Sequence, residues 1–220
     1  MLSRLELLID LLHSAPDAAL ATHSTSLAGF PFASAVSFAT DEHHRPILLI
    51  SSLAEHARNL AADARASLMI AKPLGDGEMA RVSLQGEVRP IDAEPALVAR
   101  YLRYHPHAER FLQLGDFRFH RFDPLRVLTV GGFARAGWLE GERLLEAPAF
   151  SAADEMELLA RHERDPVGRC RLRGLDPFGA DALIDGEPVR IRFDPAPVAK
   201  AACLPALADF LSGVALRDGP

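Results

Sequence analysis

Cysteine is scarce: only Cys170 and Cys203 occur among 220 residues, both in the last third of the chain. They form no Cys-x-x-Cys pair and have no histidine at metal-ligand spacing, so they read as two buried thiols. An excess of basic residues is also missing. Twenty-four Lys and Arg face 30 Asp and Glu, for a net charge of −6 and a pI near 5.8. That balance gives no general attraction for phosphate backbones and argues against nucleic acid as a partner, while small anions remain accessible through local charge. Long apolar runs are absent as well. Apolar runs such as Pro46–Ile50 and Val127–Val130 fall far short of the ~20 residues that span a bilayer, so no transmembrane helix and no membrane partner are expected. Glu6 and Asp10 interrupt what would have to be the apolar centre of a secretory signal, which predicts a cytoplasmic chain. There is no internal repeat, no low-complexity stretch, and no Gly-x-Ser-x-Gly, Walker or His-Glu-x-x-His pattern, so hydrolase and kinase templates fail.

What is present is an ordinary globular composition, 49% hydrophobic and 25% charged, sufficient for a packed core throughout. Leu2, Leu5, Leu8, Ile9 and Leu12 recur at helical spacing and stop before Pro16. Three short strands are expected next, within Ala18–Ser24, Pro31–Thr40 and Pro46–Ser51, separated by turns at Leu27–Gly29 and Thr40–His43. A helix over Ala54–Ala64, a strand over Ser67–Lys72, a loop at Pro73–Gly77 and a long strand over Arg81–Pro90 follow. Helices over Glu94–Tyr104 and Pro106–Leu112 precede strands over Phe117–Phe122 and Val127–Trp138, enough to close a barrel. Glu140–Pro148 lacks periodicity and reads as a linker between a domain over 1–140 and a second over 150–220. The second starts with a helix capped by Ser151, continues through strands over Arg169–Leu175, Ala180–Ile184 and Pro188–Phe193 with an Asp185-Gly186 hairpin, and ends in a helix over Ala196–Leu211.

Chemistry concentrates at Arg45-Pro-Ile-Leu-Leu-Ile-Ser-Ser-Leu-Ala-Glu-His-Ala-Arg-Asn-Leu, where a strand ends in Ser51 and Ser52 and a helix carrying His56, Arg58 and Asn59 begins. Free backbone N–H groups, hydroxyls and cationic side chains around one such junction can hold a phosphate without a glycine-rich loop. On spacing alone, the commoner reading is that Ser52 is a helix cap and the charges a solvated face.

This stretch, together with Asp63-x-Arg65-Ala-Ser-Leu, Gly86-x-x-Arg-Pro, Tyr101, His105-Pro106, Asp116-Phe117 and Gly131-Gly-Phe, resembles the pyridoxamine-5′-phosphate-oxidase-like split barrels. Within them it is most similar to the haem-utilisation branch, which carries an extra C-terminal domain. The resemblance implies an α+β protein, an antiparallel FMN-binding-like split β-barrel with a small C-terminal α+β domain, working as a homodimer. It implies FMN as cofactor, with His56 at the phosphate, Ser51 and Ser52 near the phosphate and ribityl chain, Asn59 beside them, and Ser34 or Ser37 near the flavin ring. Ser34 and Ser37 are three residues apart and point to opposite faces of a regular strand, so at most one faces the ring. The oxidases carry an Arg-Lys pair where this chain has Glu55-His56, and their C-terminal Arg-x-His signature is missing. A related flavin-dependent oxidoreductase is therefore expected in place of that oxidase.

The same branch suggests a second reading, haem binding or haem degradation with an iron ligand from the C-terminal domain. Where the branch carries a His-Met-Asn-x-Asp-His run, this chain has His162-Glu-Arg-Asp-Pro, and His162 is the only histidine after His120. A histidine at the end of a helix more commonly meets the last carbonyls. His43, His44, His105, His107 and His120 form no spaced metal set. Tyr101, Tyr104 and Trp138 read as core or dimer-interface aromatics. A third reading is a cofactor-free dimeric regulator.

Overall fold

The computed structural model describes residues 2–75, 78–131, 136–164 and 170–215. It divides into two compact units, Met1–Ala147 and Pro148–Pro220. Gly77, Gly132, Phe133 and Arg169, all named in the sequence reading, lie outside the described residues.

The first unit opens with helix α1 (Arg4–Ser14), which starts at a capping box: Ser3 Oγ accepts from the Glu6 amide and the Glu6 carboxylate accepts from the Ser3 amide. Its apolar stripe, Leu8, Ile9, Leu11 and Leu12, is buried. Then follow β1 (Asp17–His23), β2 (Pro31–Thr40), β3 (Pro46–Ser51), α2 (Glu55–Ala62), β4 (Arg65–Gly75) and β5 (Glu78–Pro90). Helix α3 (Pro95–Tyr104), a 3-10 turn (Pro106–Ala108) and α4 (Glu109–Leu112) lead to β6 (Phe117–Gly131), β7 (Ala136–Glu140) and α5 (Glu142–Leu145). The strands form one antiparallel sheet in the order β3-β2-β1-β4-β5-β6-β7, and β3 pairs back onto β6. That closure leaves six strands in the barrel with β7 outside it. Alternation along β5 sends Ala80, Val82, Leu84 and Val88 inward and Arg81, Gln85 and Arg89 outward.

The barrel is split at one seam. Strand β1 holds β2 from Pro31 to Ser37, and β6 holds β3 from Ile47 to Ser51. Yet β2 and β3 pair with each other only over Phe38–Thr40 and Pro46–Leu48. Beyond that short ladder the two strands part, each kept by its other neighbour.

Two stretches differ from the sequence reading. The strands expected over Phe117–Phe122 and Val127–Trp138 are one strand to Gly131 followed by β7. Pro124, which cannot donate to a ladder, sits opposite Gly86 where the register between β5 and β6 shifts, so the bulge absorbs it. The stretch read as a linker holds α5, whose Leu144 is buried. Gly141 makes this approach: its amide donates to the Leu125 carbonyl, and a Cβ there would lie 1.9 Å from the Pro124 oxygen.

In the second unit, Ser151 Oγ accepts from the Asp154 amide at the start of α6 (Ala152–Arg164). Strands β8 (Cys170–Asp176), β9 (Gly179–Ile184) and β10 (Glu187–Arg192) form a meander. Its last hairpin turns through Asp185 and Gly186, both at positive φ, the conformation of a two-residue Asp-Gly turn. Helix α7 (Lys200–Ala215) begins after the expected Ala196, because Pro195 and Pro197 bias the residues before them toward extended backbone. Leu158, Leu159, Leu175, Ala180, Ile191, Cys203 and Leu207 make its core. Both cysteines are free and buried, and burial pushes the Cys203 thiol up to about 11. Among the described residues no helix is long and apolar enough to cross a membrane.

Candidate functional site

A cavity of about 330 Å³ occupies the seam where β2 and β3 part. Ala35, Val36 and Ser37 line it from β2, and Leu49, Ile50 and Ser51 from β3. Tyr101 and His105 of α3, His107 of the 3-10 turn, and Arg110 and Phe111 of α4 close the far side, with Phe117 of β6 and His56 of α2 completing the wall. The aromatic part is built from ring pairs: Phe111 stacked on Phe117 at 4.9 Å, Tyr101 tilted against His105 at 4.9 Å and edge-on to Phe119 at 5.3 Å. Burial pushes the Tyr101 phenol up to about 12. The rim is exposed: Ala35, Ser37, His107 and Arg110 all meet solvent, and Arg110 lies over the Phe111 ring at 4.8 Å.

Each imidazole in the wall is held differently. His105 Nε2 donates to the Phe38 carbonyl at 2.7 Å, at the last rung before the strands separate. His56 Nδ1 meets Ser34 Oγ at 3.1 Å. Burial, and then the nearby His120, hold the His56 imidazole below its ordinary pKa. His56 is therefore neutral at neutral pH.

That neutrality bears on the predicted phosphate site at the β3–α2 junction. Ser51 Oγ donates to the Asp116 carboxylate, and the Ser52 amide donates to the Asp116 carbonyl. Arg58 is paired with Glu55. Asn59 is fully buried and faces elsewhere: its Oδ1 accepts from the Thr25 amide and hydroxyl, both at 2.9 Å, and its Nδ2 donates to Thr22 Oγ1 at 3.0 Å. The junction thus presents two carboxylates, an engaged guanidinium and an uncharged imidazole, which together attract a phosphate weakly.

Of the residues singled out in the sequence, Ser37, Ser51 and His56 share the seam cavity, and Ser34 reaches it through His56. Ser37 is itself tied to Asp17 at 2.6 Å. Asn59 braces the Ser24–Phe30 turn, and Ser52 is exposed outside the cavity wall. His162 is buried in the second unit, where its Nε2 donates to the Cys170 carbonyl at 2.9 Å. The structure adds Tyr101, His105, His107, Arg110 and Phe111. Their signal in the sequence is the His105-Pro-His107 break between two helical stretches, which gathers polar and aromatic side chains at one corner. A second cavity, of about 440 Å³ beside Ala21, Arg65, Gln85 and Arg126, contains none of the singled-out residues. Its two arginines are engaged by Asp63 and by the Trp138 ring.

The family model described as the CREG β-barrel matches residues 9–145. The chain belongs to this family. Membership of the CREG β-barrel family accords with the split six-stranded barrel and its covering helices, and places the chain among the FMN-binding-type split barrels. A curated relative, the chloroplastic non-canonical haem oxygenase HOZ of Arabidopsis thaliana, is 36% identical over 197 residues, 79% of this chain and 61% of that protein. The chain therefore spans less than two thirds of that relative. Among solved structures, a haem-binding protein of Mycobacterium smegmatis is 26% identical with a TM-score of 0.63, covering 99% of both chains. A protein of unknown function from Agrobacterium tumefaciens is 25% identical with a TM-score of 0.70, covering 95% of this chain and 94% of its own. These two extend the likeness through the second unit.

Proposed function

We propose that this protein binds haem in the seam cavity of its split barrel and serves haem handling or degradation. The observation that carries the reading is the convergence of three imidazoles, His56, His105 and His107, on one cavity whose remaining wall is largely aliphatic and aromatic. Such a wall suits a flat apolar macrocycle: Ala35, Val36, Leu49 and Ile50 give it aliphatic lining and the stacked Phe111–Phe117 pair an aromatic one. Arg110 and His107 stand at the exposed rim, where they can meet carboxylates that stay in water. When bound, haem iron supplies ligand binding and redox chemistry with dioxygen. The chain's part is to exclude water with the apolar wall, to present an imidazole and to orient the macrocycle from the rim. The haem oxygenase and the haem-binding protein among its relatives support the same reading.

FMN, the cofactor first expected from the resemblance, would require the β3–α2 junction to hold a phosphate, and the groups there favour it poorly. A homodimer, also expected from the resemblance, would cover the exposed rim and is proposed as the working form.

Titration with haemin and, separately, with FMN separates the readings. Saturable haemin uptake with a Soret band displaced from that of free haemin is expected, together with non-saturable FMN absorbance. Saturable FMN binding without haemin uptake would overturn the haem reading in favour of a flavoprotein, and uptake of neither would favour the cofactor-free regulator.

A further inference from the structure

The haem reading leaves open which imidazole meets the iron, and the three in the cavity wall are not equivalent. His105 donates through Nε2 to the Phe38 carbonyl at 2.7 Å and lies against Tyr101, so the nitrogen that most readily reaches a metal is already used to pin the seam. His107 is exposed on the 3-10 turn, with no hydrogen bond among the described residues, so nothing fixes its ring. His56 differs from both. It sits in the first turn of α2, half-buried, with Nδ1 against Ser34 Oγ at 3.1 Å, and its Nε2 makes no hydrogen bond among the described residues.

Metal-bound histidines almost always donate their second ring N–H to a fixed acceptor, which sets the tautomer and the ring plane. A serine hydroxyl can accept from Nδ1–H, and that tautomer leaves the lone pair on Nε2. Ser34 is well placed for the task, because β1 holds it in register opposite Leu20, whose side chain is fully buried.

We infer that His56, oriented by Ser34, is the haem-iron ligand of the seam cavity, a role distinct from the phosphate contact that the sequence suggested. This rests on the haem reading above. His56 then contacts the iron through Nε2, and Ser34 is a positioning residue that acts through it. The assignment also places the iron ligand in the barrel, in the first unit of the chain, whereas His162 of the second unit keeps its Nε2 on the Cys170 carbonyl.

The test loads wild-type protein and the variants His56→Ala, His107→Ala, Ser34→Ala and Ser34→Thr with haemin, and reads the Soret position, the electron paramagnetic resonance spectrum and the dissociation constant. His56→Ala should displace the Soret band and weaken haemin binding by about tenfold or more, whereas His107→Ala, which removes only a rim contact, should weaken binding by less and leave the iron spectrum as in wild type. Ser34→Ala should weaken binding by about tenfold with a smaller spectral change, and Ser34→Thr, which keeps the hydroxyl, should restore both. A His56→Gly variant supplied with free imidazole should regain the wild-type spectrum, which separates loss of a ligand from loss of fold. An unaltered spectrum and affinity in His56→Ala, or loss of the histidine signature in His107→Ala instead, would overturn the assignment while leaving haem binding intact. Wild-type protein that takes up no haemin would overturn the haem reading itself, and this assignment with it.

Discussion

Asn59→Ala is expected to lower the unfolding free energy by about 3 kcal/mol while leaving haemin affinity unchanged. The side chain is fully buried and makes three hydrogen bonds, accepting two from Thr25 and donating one to Thr22 Oγ1. Truncation removes all three and leaves the buried Thr22 hydroxyl without the donor it accepts from, while Thr25, an exposed residue, can turn to water. An unmet buried donor or acceptor costs about 1–3 kcal/mol, so even partial entry of water leaves a substantial loss. These bonds join α2 to β1 and to the turn that begins at Ser24, and Asn59 is not among the residues that line the cavity. Urea unfolding and a haemin titration of the same variant check both halves. A stability change below about 1 kcal/mol combined with weakened ligand uptake would return Asn59 to the binding site.

Gly86→Ala is expected to cost about 3 kcal/mol or more, or to prevent folding. A Cβ at this position would lie 2.2 Å from the Asp123 carbonyl oxygen and 2.9 Å from both the Pro124 Cα and the Phe122 ring. Two of those atoms belong to the backbone of β6 and cannot rotate away. Phe122 is itself fully buried, so its ring has no space to retreat into. The substitution must push β5 and β6 apart at the bulge that accommodates Pro124. Thermal or urea unfolding measures the effect, with Gln85→Ala as the neighbouring exposed control, expected within about 0.5 kcal/mol of wild type. Equal stabilities for the two variants would mean that the close approach of the strands is not as described.

The barrel strands and most of their turns were legible in the sequence because their signals are local: Gly29 at positive φ in its turn, the Asp41 carboxylate accepting from the His43 and Arg45 amides, and the Asp185-Gly186 hairpin. Three features were not legible, each for a non-local reason. The seam exists because β1 and β6 keep hold of β2 and β3 after these have ceased to pair, and no run of residues records that. The role of Asn59 depends on Thr22 and Thr25, more than thirty residues earlier. The continuous β6 depends on Gly86 opposite Pro124. For the candidate site, the sequence singled out His56 for a phosphate and Ser34 or Ser37 for a flavin ring; the structure brings His56 and Ser34 into contact at the cavity, and the character of the site follows from what surrounds them. Burial and His120 keep His56 neutral, while Asp116 and Glu55 engage the polar groups expected to hold a phosphate. His105 and His107 enter the wall only because the 3-10 turn brings the corner of α3 and α4 over the parted strands.

The claim that haem occupies the seam is tested most directly by filling the seam. Ala35 lines the cavity from β2 beyond the last β2–β3 rung, with its side chain exposed at the rim, so a larger residue can enter the cavity without displacing the core. Haemin titration of Ala35→Trp should show binding weakened by about tenfold or more, with unfolding stability within about 0.5 kcal/mol of wild type. Undiminished haemin uptake by a folded Ala35→Trp protein would contradict the account and place the ligand elsewhere on the molecule.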